Sequence, residues 1–300
     1  MVGWLQEAWL TYQSVVAFIG LNAILALSVY ATLACGQLSL ANAGFMAIGA
    51  YTGGLLTQKT GLPLAPILAA CTAVPALVAV PLGLPVLRLR GVFLAIATIG
   101  FGEMVRLWFV NWDYTNGALG LVGLPQRAGP LLVYACLGAA MFALWRLRGS
   151  RAGYALESIR QDESAARTMG VNTTAYKLGM FVTGAALAGL AGGLEAHLTF
   201  MVSPSGYSFS RVVDMLVYAV VGGATGVVGP VVGAAFLTAL PEVLRAAGSA
   251  LGVAPGPLRL FVNGLVLLVV ILFLPNGIAS LPSRLRARSR ERRSRAAPAA

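Results

Sequence analysis

The sequence predicts an all-α polytopic membrane protein: a helical bundle of about eight or nine transmembrane helices with one short hydrophilic insertion. Three observations lead there. Apolar residues make up 58% of the 300-residue chain and charged residues 10%, against roughly 45–50% and about 25% in soluble domains; mean hydropathy is +0.81. The apolar residues fall in runs near the length of about 20 residues that a helix needs to cross hydrocarbon. The 21 Lys and Arg outnumber the 10 Asp and Glu and gather between those runs. So few charges could not cover a surface in water, which excludes ordinary soluble enzymes, nucleic-acid-binding domains and disordered chains.

In chain order, residues 1–13 contain Glu7 and no Lys or Arg. They lack the positive start of a signal peptide and read as an outer, periplasmic N-terminus. Spans are expected at 14–34, 38–57, 64–87, 92–110, 130–147, 176–200, 212–227, 229–247 and 257–275, within a membrane domain of residues 14–280. Those at 38–57 and 212–233 are rich in Gly and Ala, so either could be broken or re-entrant. A hairpin at 212–233 in place of a span would leave eight crossings. Arg88 and Arg90, the basic cluster from Arg146 to Lys177, and a tail holding seven arginines against Glu291 between residues 284 and 295 share one side if the N-terminus is outside. By the positive-inside bias that side is the cytoplasm. Residues 281–300 are then a basic cytoplasmic tail drawn to anionic lipid.

Small residues recur four apart at Gly49 and Gly53, Gly189 and Gly193, Gly222 and Gly226, and Gly229 and Gly233. On a helix that spacing makes a flat strip along which backbones can approach. Gly-interrupted stretches at 44–54 and 222–234, one in each half, also match what surrounds the midplane path of an inverted-repeat transporter.

Between the fifth and sixth spans lies the one sizeable hydrophilic insertion, residues 149–175. Ala155, Ile159, Ala166 and Met169 can share an apolar face at helical spacing, with Glu157, Arg160, Glu163 and Arg167 as charge pairs three or four apart. Gly170 supplies a left-handed stop and Asn172 a cap for the next helix. One or two small helices lying on the inner membrane face are expected.

Charges inside spans are costly and mark candidate sites. Glu103 and Arg106, three apart, are expected to pair and lock the fourth span. Glu195 and His197 fall near an outer end, as do Glu242 and Arg245, while Asp214 is expected to open the seventh span. His197 is the single histidine, and Cys35, Cys71 and Cys136 lie in apolar runs, so neither a metal cluster nor a disulfide framework is expected. The chain contains no GxxxxGK[ST] phosphate loop, no Gly-x-Ser-x-Gly and no HExxH, so no cofactor or bound nucleotide is expected in it. Any energy source must come from a partner.

Resemblance then adds to these readings. Ala165-Ala166-x-x-x-Gly170, with Glu163 one place early and Ser164 at the expected acidic site, is similar to the EAA-type coupling motif of ABC importer permeases. Gly36-Gln37-Leu38-Ser39-Leu40-Ala41-Asn42-Ala43-Gly44-Phe45-Met46-Ala47-Ile48-Gly49-Ala50-Tyr51 resembles the early signature of branched-chain amino acid permeases, with Ala41-Asn42 where relatives often carry Gly-His. Leu87-Arg88-Leu89-Arg90-Gly91-Val92-Phe93-Leu94-Ala95-Ile96-Ala97-Thr98-Ile99-Gly100-Phe101-Gly102-Glu103 with Arg106 and Thr115-Asn116-Gly117 does the same. So do Ser203-Pro204 through Gly222-Gly223 to Gly229-Pro230, and Phe273-Leu274-Pro275-Asn276-Gly277. Together they resemble the M-type subunit of Liv-type branched-chain amino acid importers, over about residues 20–280.

The resemblance implies a permease subunit, not itself an enzyme, in a bacterial inner membrane. It implies separate ABC ATPase subunits that bind ATP, a second H-type permease, a periplasmic or lipid-anchored amino-acid-binding protein and surrounding lipid, with no nucleic acid. Glu157, Ile159, Arg160, Glu163, Ala165, Ala166, Met169 and Gly170 would dock the ATPase. Ser39, Asn42, Gly44, Thr98, Glu103, Gly222 and Gly223 would line the path. A urea or amide permease of the same architecture, or an ion-coupled secondary transporter, are the alternative readings.

Overall fold

The structure, a computed structural model, describes residues 2–89, 91–223 and 226–250. The expected span at 257–275, the 273–277 motif, the arginine tail and Arg90 lie outside the described residues. Among those described there are ten α-helices and one two-residue β-ladder. α1 (Val2–Leu33) is predominantly apolar all round from residue 15 onward, and its residues Leu21, Ile24, Leu25 and Leu27 are fully buried. A helix without a polar face has no reason to stay at a surface, and α1 accordingly sits inside the bundle. It begins at Val2, well ahead of the expected start at residue 14.

α2 (Asn42–Thr60), α3 (Leu64–Val86) and α8 (Thr173–Thr199) pack with α1 at the centre, α2 lying along α8. The strips of glycine make this close approach possible: a methyl group on Gly49 would strike the backbone of Gly189, and one on Gly53 would meet the Cys71 sulfur and the Cα of Gly193. The two four-residue spacings thus face each other across one seam. α4 (Val92–Val110) and α5 (Pro130–Arg148) lie further out, with Phe93, Leu131 and Phe142 mostly exposed, the side-chain pattern of a surface that meets lipid.

α9 (Phe209–Gly222) and α10 (Val228–Ala250) form the hairpin that the glycine-rich 212–233 stretch left open. Gly222 packs onto Gly229 and Gly233 across it. α9 has 14 residues, about 21 Å of helix, shorter than the roughly 30 Å of a bilayer core. It starts at Phe209, so Asp214 lies in its second turn and not at its opening. Five described helical segments are long and apolar enough to cross a membrane: Gln13–Leu33, Leu64–Val86, Val92–Val110, Pro130–Arg148 and Thr173–Thr199.

The loops sort into two ends. At one end, β1 (Leu121–Val122) pairs antiparallel with β2 (Met201–Val202), Leu121 opposite Val202. Arg127 Nη1 donates to the Leu62 carbonyl at 2.7 Å, and Lys59 sits 3.9 Å over the Tyr114 ring. These contacts join the 61–63, 111–129 and 200–208 connections. At the other end, the hydrophilic insertion folds as α6 (Arg151–Gln161) and α7 (Glu163–Thr168). Gly36, just after α1, abuts Arg160 there, and Gly226 lies beside the Arg148 guanidinium.

Candidate permeation path and inner coupling segment

The chain between α1 and α2 is not helical from Gln37 to Ala41, yet it is largely buried. Buried away from water, its N–H and C=O groups need partners. Polar side chains supply them. Leu40 N–H donates to Thr98 Oγ1 at 3.0 Å, Asn42 Nδ2 donates to Ser28 Oγ at 2.8 Å, and Ala41 N–H reaches Ser39 Oγ at 3.5 Å. Ser28, Ser39, Asn42 and Thr98 are all at most 2% exposed, and Gly44 lies against Gly102 and Phe101 of α4. Four path residues expected from the sequence, Ser39, Asn42, Gly44 and Thr98, therefore meet at one break. Beside it, the buried Cys35 S–H points to the Thr32 carbonyl at 3.1 Å.

The other expected path residues lie elsewhere. Gly222 and Gly223 form the end of α9, Gly223 at φ +101°. Glu103 lies in the C-terminal half of α4, partly exposed, with Arg106 Nε donating to its Oε2 at 2.6 Å. Its second oxygen accepts the Phe209 N–H at 3.2 Å. The expected pair is thus formed, and it also caps the start of α9, where a carboxylate suits the helix dipole.

In the inner segment, Gly153, Leu156, Ile159 and Ala166 are buried against the bundle. Two expected docking residues, Ile159 and Ala166, consequently face this chain's own interior. Met169 does not join their face and is 84% exposed; α6 ends at Asp162, which redirects the chain and puts Met169 on the far side. Glu157, Arg160, Ala165 and Gly170 are exposed. Asp162, which the sequence reading missed, caps α7 through Ser164 N–H and Ala165 N–H at 2.8 and 3.0 Å; an acid just before Glu163-Ser164-Ala165 was the available signal. Glu163 turns inward, accepting from Arg167 Nη2 and Lys177 Nζ, each at 2.7 Å, and so fastens α7 to α8. Gly170 takes φ +84° and Asn172 caps α8 through Ala175 N–H, both as expected. A small cleft of about 30 Å³ lined by Tyr30, Arg148, Leu156, Glu157 and Arg160 lies beside α6.

His197 is fully buried, so the expected interfacial position becomes an interior one. Its Nδ1 lies 2.7 Å from the Gly193 carbonyl, which can only accept, so Nδ1 carries the hydrogen. Nε2, 2.8 Å from Thr57 Oγ1, then accepts from that hydroxyl in the neutral ring. Glu195 pairs with Arg211 Nη2 at 2.9 Å. Arg211 and Tyr207 gather around Glu195, with Tyr51 near Tyr207; none of them was singled out in the sequence, since they come from separate elements and carry no shared spacing. The Arg245 side chain lies outside the described residues, so the expected Glu242–Arg245 pair does too.

A bundle of apolar helices, five of them long and apolar enough to cross a membrane, with a two-helix hydrophilic foot is the architecture of a multi-pass membrane protein. The chain belongs to the family described as branched-chain amino acid transport system / permease component, whose model matches residues 11–271. It is 32% identical over 273 residues to the high-affinity branched-chain amino acid transport system permease protein LivM of Salmonella typhimurium, covering 79% of this chain and 63% of that one. LivM of Escherichia coli is 32% identical over 278 residues, 81% of this chain and 64% of its own. The chain thus spans less than two thirds of the length of these relatives. No solved structure matches it significantly.

Proposed function

We propose that this chain is the membrane subunit of an ATP-driven importer carrying branched-chain or other mainly apolar amino acids into the cytoplasm of a bacterium, across the inner membrane. Family membership and the relatives named above support the solute class. The observation that carries the mechanism is the seating of the inner segment. Its α6 abuts Gly36 at the α1–α2 break through Arg160, and its α7 is tied to α8 by the Glu163–Lys177 ion pair. Force applied to this foot from below reaches both the broken helix and the central seam.

In this mechanism a soluble receptor delivers the amino acid to the end carrying the β-ladder. ATPase subunits grip the exposed side of the foot, Glu157, Arg160, Ala165, Met169 and Gly170, and their closure shifts α6 across the cleft beside it. A second permease subunit completes the path. The chain does no chemistry itself; it binds, orients and releases. Reconstitution with its receptor, ATPases and partner permease should give leucine accumulation that needs ATP and survives collapse of ion gradients. Accumulation by this chain alone on an ion gradient would overturn the reading.

A further inference from the structure

Four polar side chains from four separate elements meet toward the β-ladder end of the bundle: Tyr51 of α2, Glu195 of α8, Tyr207 of the 204–207 turn, and Arg211 of α9. Arg211 Nη2 donates to Glu195 Oε1 at 2.9 Å, and Tyr207 lies within electrostatic reach of Glu195, Tyr51 and Arg211. Tyr51 is 1% exposed and Tyr207 4%; the Glu195 and Arg211 side chains are 17% and 21% exposed.

Burying an ion pair is a net cost unless its remaining protons and lone pairs are also used. Here they are not all used. Tyr51 Oη and Arg211 Nε are buried with no hydrogen-bond partner, and native structures rarely leave such groups without a reason. What remains unspent has a definite polarity. Arg211 Nε–H and the Tyr51 hydroxyl can both donate. Glu195 still has acceptor capacity, since a carboxylate offers about four lone-pair sites. An anion would be repelled by Glu195 and a cation by Arg211; a neutral molecule bearing one charge of each sign fits both. Tyr51 also stacks on Phe109, ring centres 3.8 Å apart at 7°, which gives the hydroxyl an apolar wall beside it.

We propose that Tyr51, Glu195, Tyr207 and Arg211 form a recognition site for the zwitterionic head group of an amino acid in transit. The solute carboxylate takes the Arg211 Nε–H and the Tyr51 hydroxyl. Its ammonium donates to Glu195, which Tyr207 neighbours. The Phe109–Tyr51 stack faces the aliphatic side chain. This inference rests on the amino-acid reading above and adds to it the residues that read the head group.

Tyr51→Phe keeps the ring stack and deletes only the unpartnered hydroxyl. In the complete transporter in proteoliposomes, with receptor and radiolabelled leucine well below half-saturation, uptake should fall at least about tenfold, the size of one hydrogen bond to a charged group. The thermal midpoint of the purified complex should hold or rise, because the variant loses a buried orphan. Arg211→Lys, which keeps the charge and removes Nε, should lower uptake in similar measure. Leucine uptake by Tyr51→Phe at the unmutated rate overturns the site. So does a fall in midpoint together with uptake, which would mark the hydroxyl as structural and satisfied by a buried water. If the unmutated transporter moves urea but no amino acid, the amino-acid reading fails and takes the site with it; if it moves leucine and Tyr51→Phe does equally well, only the site fails.

Discussion

His197 shows how much a single residue's meaning depends on what surrounds it. A lone histidine near the end of an apolar run suggests an interfacial group, or one that moves protons. In the fold both ring nitrogens are engaged, by the Gly193 carbonyl and Thr57 Oγ1, and the ring is sealed from solvent. Thr57 has one proton and two acceptors within reach, His197 Nε2 and the Gly53 carbonyl, each at 2.8 Å. The pair is therefore a packing device tying α2 to α8. Thr57→Val should leave Nε2 an unmet acceptor and cost about 1–3 kcal/mol, read as a lower thermal midpoint in detergent. Uptake per folded transporter should not change. The histidine was legible as an oddity, but its partner stands 140 positions away and no local pattern announces it.

Among the helices, the inner foot is the element whose location the sequence located well and whose orientation it did not. The insertion's bounds, the left-handed Gly170 and the Asn172 cap all follow from local chemistry that any short segment obeys. Which face turns inward is a tertiary outcome: Ile159 and Ala166 pack inside, Met169 stands outside, because Asp162 breaks one amphipathic stripe into two short helices. The two faces respond differently to substitution. Met169→Asp should leave the thermal midpoint unchanged yet cut ATP-driven leucine uptake severalfold while basal ATP hydrolysis continues. Ala166→Glu should lower the midpoint itself, since it forces a carboxylate into a buried site, at a cost of several kcal/mol. Equal midpoints for the two variants, measured side by side, would contradict this division of faces. The central seam shows the same limit: Gly49, Gly53, Gly189 and Gly193 announced close packing, but only the folded chain pairs them with each other.

For the molecule as a whole, hydropathy carried most of the architecture, since spans such as 92–110 and 130–147 are apolar runs with little else to become. The short α9, its hairpin with α10 and the break at 37–41 were legible only as glycine-rich ambiguity, because glycine permits helix, elbow and loop alike. The two ends of the bundle give the arrangement a direct check. Leu119 is 78% exposed in the 111–129 connection and Met169 84% exposed beyond α7. In intact cells a membrane-impermeant thiol reagent should label Leu119→Cys and spare Met169→Cys, with the reverse in inside-out vesicles. The natural Cys35 and Cys71 are buried, and the partly exposed Cys136 is first replaced by Ala to keep the background low.

The ladder of Leu121–Val122 with Met201–Val202 has a mechanical corollary. Two connections that are 80 positions apart in the chain are stitched edge to edge, so the loop after α4 and the loop after α8 cannot travel independently. Under the proposed function, a receptor landing on either one would tug a single plate. The outer mouth would then open by tilting as one hinged panel, and a crosslink freezing those two strands together should be tolerated through every turnover.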